Sequence, residues 1–474
     1  MRKTKIICTL GKSVENRMEE LIVAGMNAAR VNLSHETYEI HQKRIDELKR
    51  ARKALGKPIP LIMDTKGPEI RTGPLEKTLK LKIGQEFVLA CDDRTGSESC
   101  VSISYEDLYK YVKPMDNIFI DDGRIRLQVE RIDGKRIISR VLAGGDLSSR
   151  KGINIPMVET HMEFLSLQDE QDIRFAMDNE FDHIALSFVS NGENVQKVRQ
   201  ILAKANHSDI RIIAKIENKN AIDNIDEIIE VCDGIMVARG DMGVEIPLDQ
   251  VPVVQKKLIR KCYLKGKPVI TATHMLESMT DSPVPTRAEV SDIANAVYDS
   301  TSALMLSGET AIGKYPVEAV RTMVRIIETT ENDIDYKKKF FSEEWNNPQR
   351  KIVDAIGRSS TVAAFELKAK AILVITRTGN SARMISRYRP ECPIIAIAID
   401  KRVERQLNMS WGITPVYTEY ISEAEKLFEN AIGCARKTGL IRKNDTIVIT
   451  AGLPTGIGGR TNMLKIHVVG ETAL

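Results

Sequence analysis

The chain has 474 residues, 42% of them hydrophobic, and exceeds the size at which one hydrophobic core keeps growing, so two or three domains are expected. Lysine plus arginine number 69 against 65 acidic residues, a balance that leaves no broad basic face and argues against nucleic acid or an anionic membrane as partner. The seven cysteines are scattered without a Cys-x-x-Cys pair, so neither a disulfide framework nor a zinc site is indicated, and a reducing cytoplasm fits.

The apolar stretch from Ile6 to Leu10 is too short for a signal peptide, and no run approaches membrane-spanning length, which predicts an unprocessed soluble protein. From residue 4 to about 335, short β-rich runs alternate with amphipathic helical segments. The strand candidates are 5–10, 28–33, 59–65, 183–189, 211–217, 234–239, 268–273 and 303–308. This rhythm is the signature of a closed (β/α)8 TIM barrel, with a doubly wound sheet as the weaker rival. In the first helix Ser13 is placed to cap, Val14, Met18, Leu21 and Ile22 form one apolar stripe, and Gly25 supplies a left-handed stop.

One gap breaks the rhythm between the third and fourth strands. The stretch from about 72 to 158 alternates with period two, and Asp133-Gly134 is a hairpin turn signal, so a small β-rich lid domain is inserted there. After the connector from Glu343 to Pro348 a second αβ rhythm begins, with a helix at 351–368 and strands at 371–376, 394–399, 415–418, 445–450 and 464–469. The expected organisation is therefore an α/β barrel over 1–71 and 159–342, a β lid over 72–158 and an open α/β regulatory domain over 343–474.

The barrel strands end in a ring of polar groups. These are Arg30, Asn32 and Ser34; Asp64 and Thr65; Ser187; Lys215 and Glu217; Arg239 and Asp241; Thr271 and Thr273; Ser307 and Glu309. Residues two apart on a strand share a face, so Lys215 and Glu217 are expected to point together, as are Arg239 and Asp241. Two carboxylates with an ammonium and a guanidinium could hold a divalent cation and still attract an anionic substrate. Private ion pairs are the alternative for any one of these residues, but satisfying the whole ring privately is costly.

The residues at these ends resemble the pyruvate kinase family. The resemblance is carried by Lys3-Thr-Lys-Ile-Ile-Cys-Thr-Leu-Gly11, Gly25-Met-Asn-Ala-Ala-Arg-Val-Asn-Leu-Ser-His35, Asp64-Thr-Lys-Gly-Pro-Glu-Ile-Arg-Thr-Gly73 and Lys151-Gly-Ile-Asn-Ile-Pro156. It continues through Ala214-Lys-Ile-Glu-Asn218, Met236 to Pro247, Thr271 to Met279, Pro285 to Asp292 and Met305 to Ala311, in family order over essentially the whole chain. It implies a bacterial-type enzyme of glycolysis that transfers the phosphoryl group of phosphoenolpyruvate to ADP. Longer relatives carry a further phosphohistidine-type domain, without which this chain is expected to stop.

The resemblance also implies roles. Lys215, Arg30, Thr273, Ser307 and Glu309 are catalytic in this reading, with the last three in a proton relay, while Arg30, Lys215, Gly240, Asp241 and Thr273 bind substrate. Glu217 and Asp241 hold Mg2+ or Mn2+, and Asn32, Ser34, Asp64 and Thr65 hold K+, with Glu69 the form associated with potassium dependence. Asn32, His35, Arg71 and Lys151 face the nucleotide. In the carboxyl-terminal domain Thr376, Thr378, Gly379, Asn380 and Ser381, with a second loop at Ala451 to Arg460, match loops that take a sugar-phosphate or nucleotide effector. A homotetramer is implied as well.

Departures from the family pattern are Lys12 for proline, Glu36 for glycine, Ser190 for arginine, His274 for glutamine, and Asn220-Ala221 and Met157 in place of glycine-containing sequences. They touch no metal ligand and leave Lys215 in place. Two other readings stay open: a metal-dependent enolate lyase on the same barrel, and a catalytically silent effector-binding subunit.

Overall fold

A computed structural model describes residues 1–92, 96–156, 158, 160, 162–345, 351–454 and 461–471. Eight parallel strands close into a barrel: Lys5–Thr9, Ala28–Asn32, Leu61–Asp64, His183–Leu186, Arg211–Ile216, Gly234–Ala238, Val269–Ala272 and Ala303–Leu306. All eight expected strands are present, and each stops one to three residues before its expected carboxyl end. Arg30, Asp64 and Lys215 stay within their strands, whereas Thr65, Ser187, Glu217, Arg239, Thr273 and Ser307 lie just beyond them, at the face where such barrels keep their sites.

The barrel interior is filled by Ile7, Ala28, Ile62, Ala185, Ile213, Met236, Ile270 and Met305, so it is a packed core. A larger apolar shell, with Leu48, Val198, Leu258 and Met323 among its members, joins the outward strand faces to the surrounding helices. The first helix differs from expectation. A 3-10 turn at Lys12–Val14 precedes a helix at Met18–Ala24 whose cap position is Arg17, so Ser13 does not cap it. Gly25 closes it at φ 132° as its composition predicts.

The lid is a seven-stranded sheet with a two-stranded partner pairing Leu79–Leu81 with Gly145–Leu147. Its two connections to the barrel run side by side, Ile70–Arg71 antiparallel to Gly152–Asn154. The predicted hairpin joins Ile125–Asp133 to Arg136–Ala143, with Gly134-Lys135 as the two loop residues. The turn lies one residue later than Asp133-Gly134, because Gly134 takes the first central position at φ 58°, where glycine is favoured.

The carboxyl-terminal domain is a five-stranded sheet ordered Ile413–Tyr417, Ile394–Ala398, Ala371–Thr376, Thr446–Ala451, Met463–Val468, the last strand antiparallel. It grips the amino-terminal face of the barrel. Met409 joins the barrel's interior apolar cluster, and the buried Lys5 ammonium donates to Ile413 O at 2.7 Å. Arg405 pairs with the fully buried Asp182 at 2.9 Å. No helix among the described residues is long and apolar enough to cross a membrane.

Candidate active site

At the carboxyl face, the strands Ala28–Asn32, Leu61–Asp64 and Arg211–Ile216 bring four charges into one chain of contacts. Arg30 Nε donates to Asp64 Oδ2 at 2.6 Å, Lys215 Nζ lies 3.1 Å from Asp64 Oδ1, and the same nitrogen lies 2.8 Å from Glu217 Oε1. Lys215 also donates to Ser187 Oγ at 2.7 Å, and the Phe188 N–H donates to Glu217 Oε2 at 2.6 Å. The Asp64 and Glu217 side chains are 1% exposed, Lys215 11%. Lys215 and Glu217 thus meet as the strand periodicity predicts.

Burial opposes the Lys215 ammonium, yet Asp64 and Glu217 outweigh it and its pKa is raised. Burial also pushes against Asp64, but Arg30 and Lys215 hold it below the ordinary carboxylate range. Glu217 and Asp241 go the other way. Burial raises both against the pull of Lys215, Asp241 adds to the rise in Glu217, and Asp122 and Glu69 add to it in Asp241. Two carboxylates that burial pushes upward are relieved by a divalent cation bound between them. Each Glu217 oxygen accepts one hydrogen bond and keeps a lone pair for a ligand bond. The pair therefore fits a Mg2+ or Mn2+ ion of the kind completed by substrate oxygens. Among the described residues no group of three or more His, Cys, Asp or Glu side chains forms a protein-only metal cage.

The expectation that Arg239 shares a face with Asp241 is corrected. A helix, Arg239–Glu245, starts at once after strand Gly234–Ala238, so the two residues leave strand geometry. Arg239 turns away and donates to both Asp292 oxygens at 2.8 and 2.6 Å and to Thr273 O at 2.6 Å. There it holds a loop in which Thr273 and His274 stand at φ 66° and 53°. Positive φ in a β-branched residue is a genuine outlier. The Thr273 hydroxyl accepts from Gly240 N–H at 2.8 Å and donates to Ala272 O at 2.7 Å.

Among the described residues no side-chain-to-side-chain hydrogen bond joins the three relay candidates. Glu309 is fully buried and spends its two oxygens on Leu276 N and Ser307 N, at 2.9 and 2.7 Å, while the buried Ser307 Oγ has no partner among the described residues. In the potassium set, Asn32 and Asp64 are register partners, Asn32 Oδ1 accepts from Ser34 N at 3.2 Å and Thr65 Oγ1 from Ser187 N at 3.0 Å. Both Asp64 oxygens are already in ion pairs.

A cleft of ≈ 720 Å3 lies between barrel and lid, with Glu69, Arg71, Asp122, Lys151, Asp241 and Glu245 among its lining. Arg71 is paired with Glu69 at 2.5 Å and Lys151 with Asp121 at 2.8 Å. His35 is exposed on the loop after the second strand and is not part of the cleft lining. Sequence reasoning missed Phe188, whose N–H reaches Glu217 from a backbone at φ 55°, and Glu245, which accepts from Asn154 of the lid hinge at 3.1 Å. A backbone donor leaves no mark on residue type. Asp121-Asp122-Gly123, by contrast, is a visible turn signal beside the cleft.

In the carboxyl-terminal domain, Gly379 stands at φ 79° before the helix Asn380–Ser386, its N–H bonded to Thr376 Oγ1 at 3.0 Å, and Ser381 meets Thr461. Thr378 O accepts from Arg383 at 2.9 Å and from Arg211, on the fifth barrel strand, at 3.5 Å. Of the second loop, 455–460 lies outside the described residues, as does Met157. Among the departures, Lys12 is exposed, Ser190 N donates to Asn194 Oδ1 at 2.9 Å, and Asn220-Ala221 lies in a short helix, Lys219–Asp223, capped by Asn218.

Residues 1–320 match the family profile described as Pyruvate kinase, barrel domain, and 354–467 the one described as Pyruvate kinase, alpha/beta domain. The chain belongs to the pyruvate kinase family. It is 46% identical to a pyruvate kinase of Clostridium acetobutylicum over 99% of this chain and 100% of that one. It is 47% identical to one of Staphylococcus epidermidis over 99% of this chain and 81% of the relative. A crystal structure of a pyruvate kinase from Cryptosporidium parvum superposes with a TM-score of 0.93 at 40% identity, over 98% of this chain and 96% of that one. A pyruvate kinase is a phosphotransferase, and the inserted lid with the carboxyl-terminal α/β domain completes the architecture expected of it.

Proposed function

We propose that this chain moves the phosphoryl group of phosphoenolpyruvate to ADP and protonates the resulting enolate, giving pyruvate and ATP in cytoplasmic glycolysis. The observation that carries this is the Lys215 ammonium, held protonated between Asp64 and Glu217 within one network with Arg30. A fixed positive charge at the carboxyl face of the barrel suits the charge that spreads over a phosphoryl group in flight, where positioning and electrostatics do most of the work. Arg30, oriented by Asp64 and Thr9, presents its planar fork to the same group.

Glu217 and Asp241 would hold Mg2+ or Mn2+, which supplies Lewis-acid charge to substrate oxygens when bound. Asn32, Ser34, Asp64 and Thr65 would hold K+. The first turn of helix Arg239–Glu245 offers its N–H groups to the substrate carboxylate, with Gly240 N–H now spent on Thr273. The Thr273 hydroxyl accepts from that cradle's Gly240 N–H, Ser307 Oγ has no partner among the described residues, and Glu309 sets both loops through their backbone. Arg71, Lys151 and His35 are assigned to the nucleotide, and the lid closes over it. The loop at Thr376 to Ser381 would take a phosphorylated effector, and the assembly would be a homotetramer. The boundaries 1–71 with 159–342, 72–158 and 343–474 serve as the working domains.

The test is pyruvate formation from phosphoenolpyruvate with and without ADP. ADP-dependent pyruvate supports the proposal, ADP-independent pyruvate indicates an enolate lyase, and none indicates a silent subunit. Replacing potassium by sodium or Tris should lower the rate strongly. Equal rates in the three salts would remove the K+ assignment.

A further inference from the structure

The loop after the second barrel strand contains a residue in a conformation that its own side chain disfavours. Glu36 stands at φ 66°, a left-handed backbone that crowds any Cβ against the following carbonyl. Its carboxylate is gripped by Arg44: Nη2 donates to Glu36 Oε1 at 2.9 Å and Nη1 donates to Glu36 Oε2. The same guanidinium donates through Nε and Nη2 to Glu15 Oε1, at 3.0 and 2.7 Å, in the turn that follows the first strand. The Arg44 side chain is only 3% exposed, so these acids are its compensation for leaving water.

A second tie acts on the backbone. His41, on the same helix, Tyr38–Ala54, lies 2.6 Å through Nε2 from His35 O, and since a carbonyl oxygen only accepts, Nε2 is the protonated nitrogen. On its other side the loop is anchored by Leu33 N to Asp64 O at 3.4 Å and by Ser34 N to Asn32 Oδ1 at 3.2 Å. Asp64 is the carboxylate that pairs with Lys215 and Arg30. The loop is therefore held between the Asp64 backbone, whose carboxylate belongs to the charged network of the site, and the Arg44 guanidinium.

We propose that the Glu36–Arg44 pair is a latch that sets the loop from Ser34 to Thr37, making Glu36 a positioning residue for ADP. The inference rests on the reading of His35 as a nucleotide contact. Glu36 does not touch the substrate. It holds the backbone in a shape that a residue with a side chain would otherwise leave, and His35 travels with that backbone.

Alanine and glycine at this position separate the latch from the conformation it maintains. Glu36→Ala removes the carboxylate and keeps the steric penalty, whereas Glu36→Gly removes both. In the full-length enzyme Glu36→Ala is expected to raise KM for ADP about tenfold with kcat and KM for phosphoenolpyruvate within about twofold, and Glu36→Gly to raise it by no more than about threefold. Equal shifts in the two variants, no shift in either, or a lower KM for ADP in both would overturn the latch. The last result would mean that Glu36 acts by repelling phosphate. A shift confined to phosphoenolpyruvate would overturn the nucleotide assignment of the loop. Wild-type enzyme is assayed first, and absence of ADP-dependent pyruvate there would defeat the underlying function independently of either variant.

Discussion

The two faces of the barrel both bury charge, and they do so in opposite ways. At the amino-terminal face charged groups among the described residues pair with one another or with the backbone: Asp182 holds Arg405 and Leu61 N, Asp233 holds Arg199 and Arg211, and Arg389 donates to Ser300 O and Ser302 Oγ. At the carboxyl face burial raises both Glu217 and Asp241, and Asp241 is in no ion pair among the described residues. Burial of charge is thus common to scaffold and site. What distinguishes the site is charge left for something else to complete.

The largest expected effect breaks the carboxyl face. Lys215→Met should fold and lose turnover by at least ~1,000-fold, since one contact at ~4 Å and an effective dielectric of ~20 is worth ~4 kcal/mol. Near-normal kinetics would remove Lys215 from the mechanism. Its counterpart breaks the amino-terminal face. Arg405→Ala leaves Asp182 buried with Leu61 N as its one remaining hydrogen-bond donor, and should cost roughly 3–5 kcal/mol in denaturant unfolding. Catalysis in that variant, assayed under folding conditions, should stay near wild type. A large loss of turnover without loss of stability would mean that the two faces are coupled more tightly than their separate networks imply.

A proton can probe the same contrast. His183, at the amino-terminal end of the fourth barrel strand, is pushed down to about 3 by burial, with the Arg211 charge adding to the fall. Its folded pKa lies below its unfolded value, so the neutral ring costs nothing above about 6.5, and stability falls as pH drops from there toward 3. Between pH 6.5 and 5 the loss is roughly 2 kcal/mol. His183→Gln should flatten the stability profile over that window relative to wild type. Parallel profiles would show that the ring takes up its proton without leaving the fold.

Much of the contrast was legible in the sequence and part of it was not. Period-two and period-3.6 patterning located all eight barrel strands, the lid and the five-stranded domain, because each buries a face whose rhythm survives in composition. Lys215 and Glu217 were legible for the same reason, being two apart on a strand. Arg239 was misplaced because the helix begins one residue earlier than strand continuation requires, which propensity alone does not decide. Asp64 drew attention as an oxygen ligand, and its pairing with Arg30 and Lys215 depends on three strands meeting in space. The partnership of Asp182 with Arg405, 223 residues apart, leaves no local trace.

The smallest expected effect sharpens the comparison at a point where the site borrows a scaffold device. Arg239 and Asp292 make an ion pair of the kind found at the amino-terminal face, yet it lies at the loop assigned to substrate: the guanidinium also donates to Thr273 O, where Thr273 stands at φ 66°. Asp292→Asn retains the side-chain shape and weakens the grip, so the loop should relax toward φ below zero and draw the Thr273 hydroxyl from Gly240 N–H. The expected cost is about tenfold in kcat, or ~1.4 kcal/mol, because a hydroxyl misplaced by a fraction of an ångström loses part of its alignment. Thermal stability should change little. If kcat is unaffected, the positive φ is fixed by the chain on either side, held through Leu276 N on Glu309, and the Arg239 pair belongs with the scaffold after all.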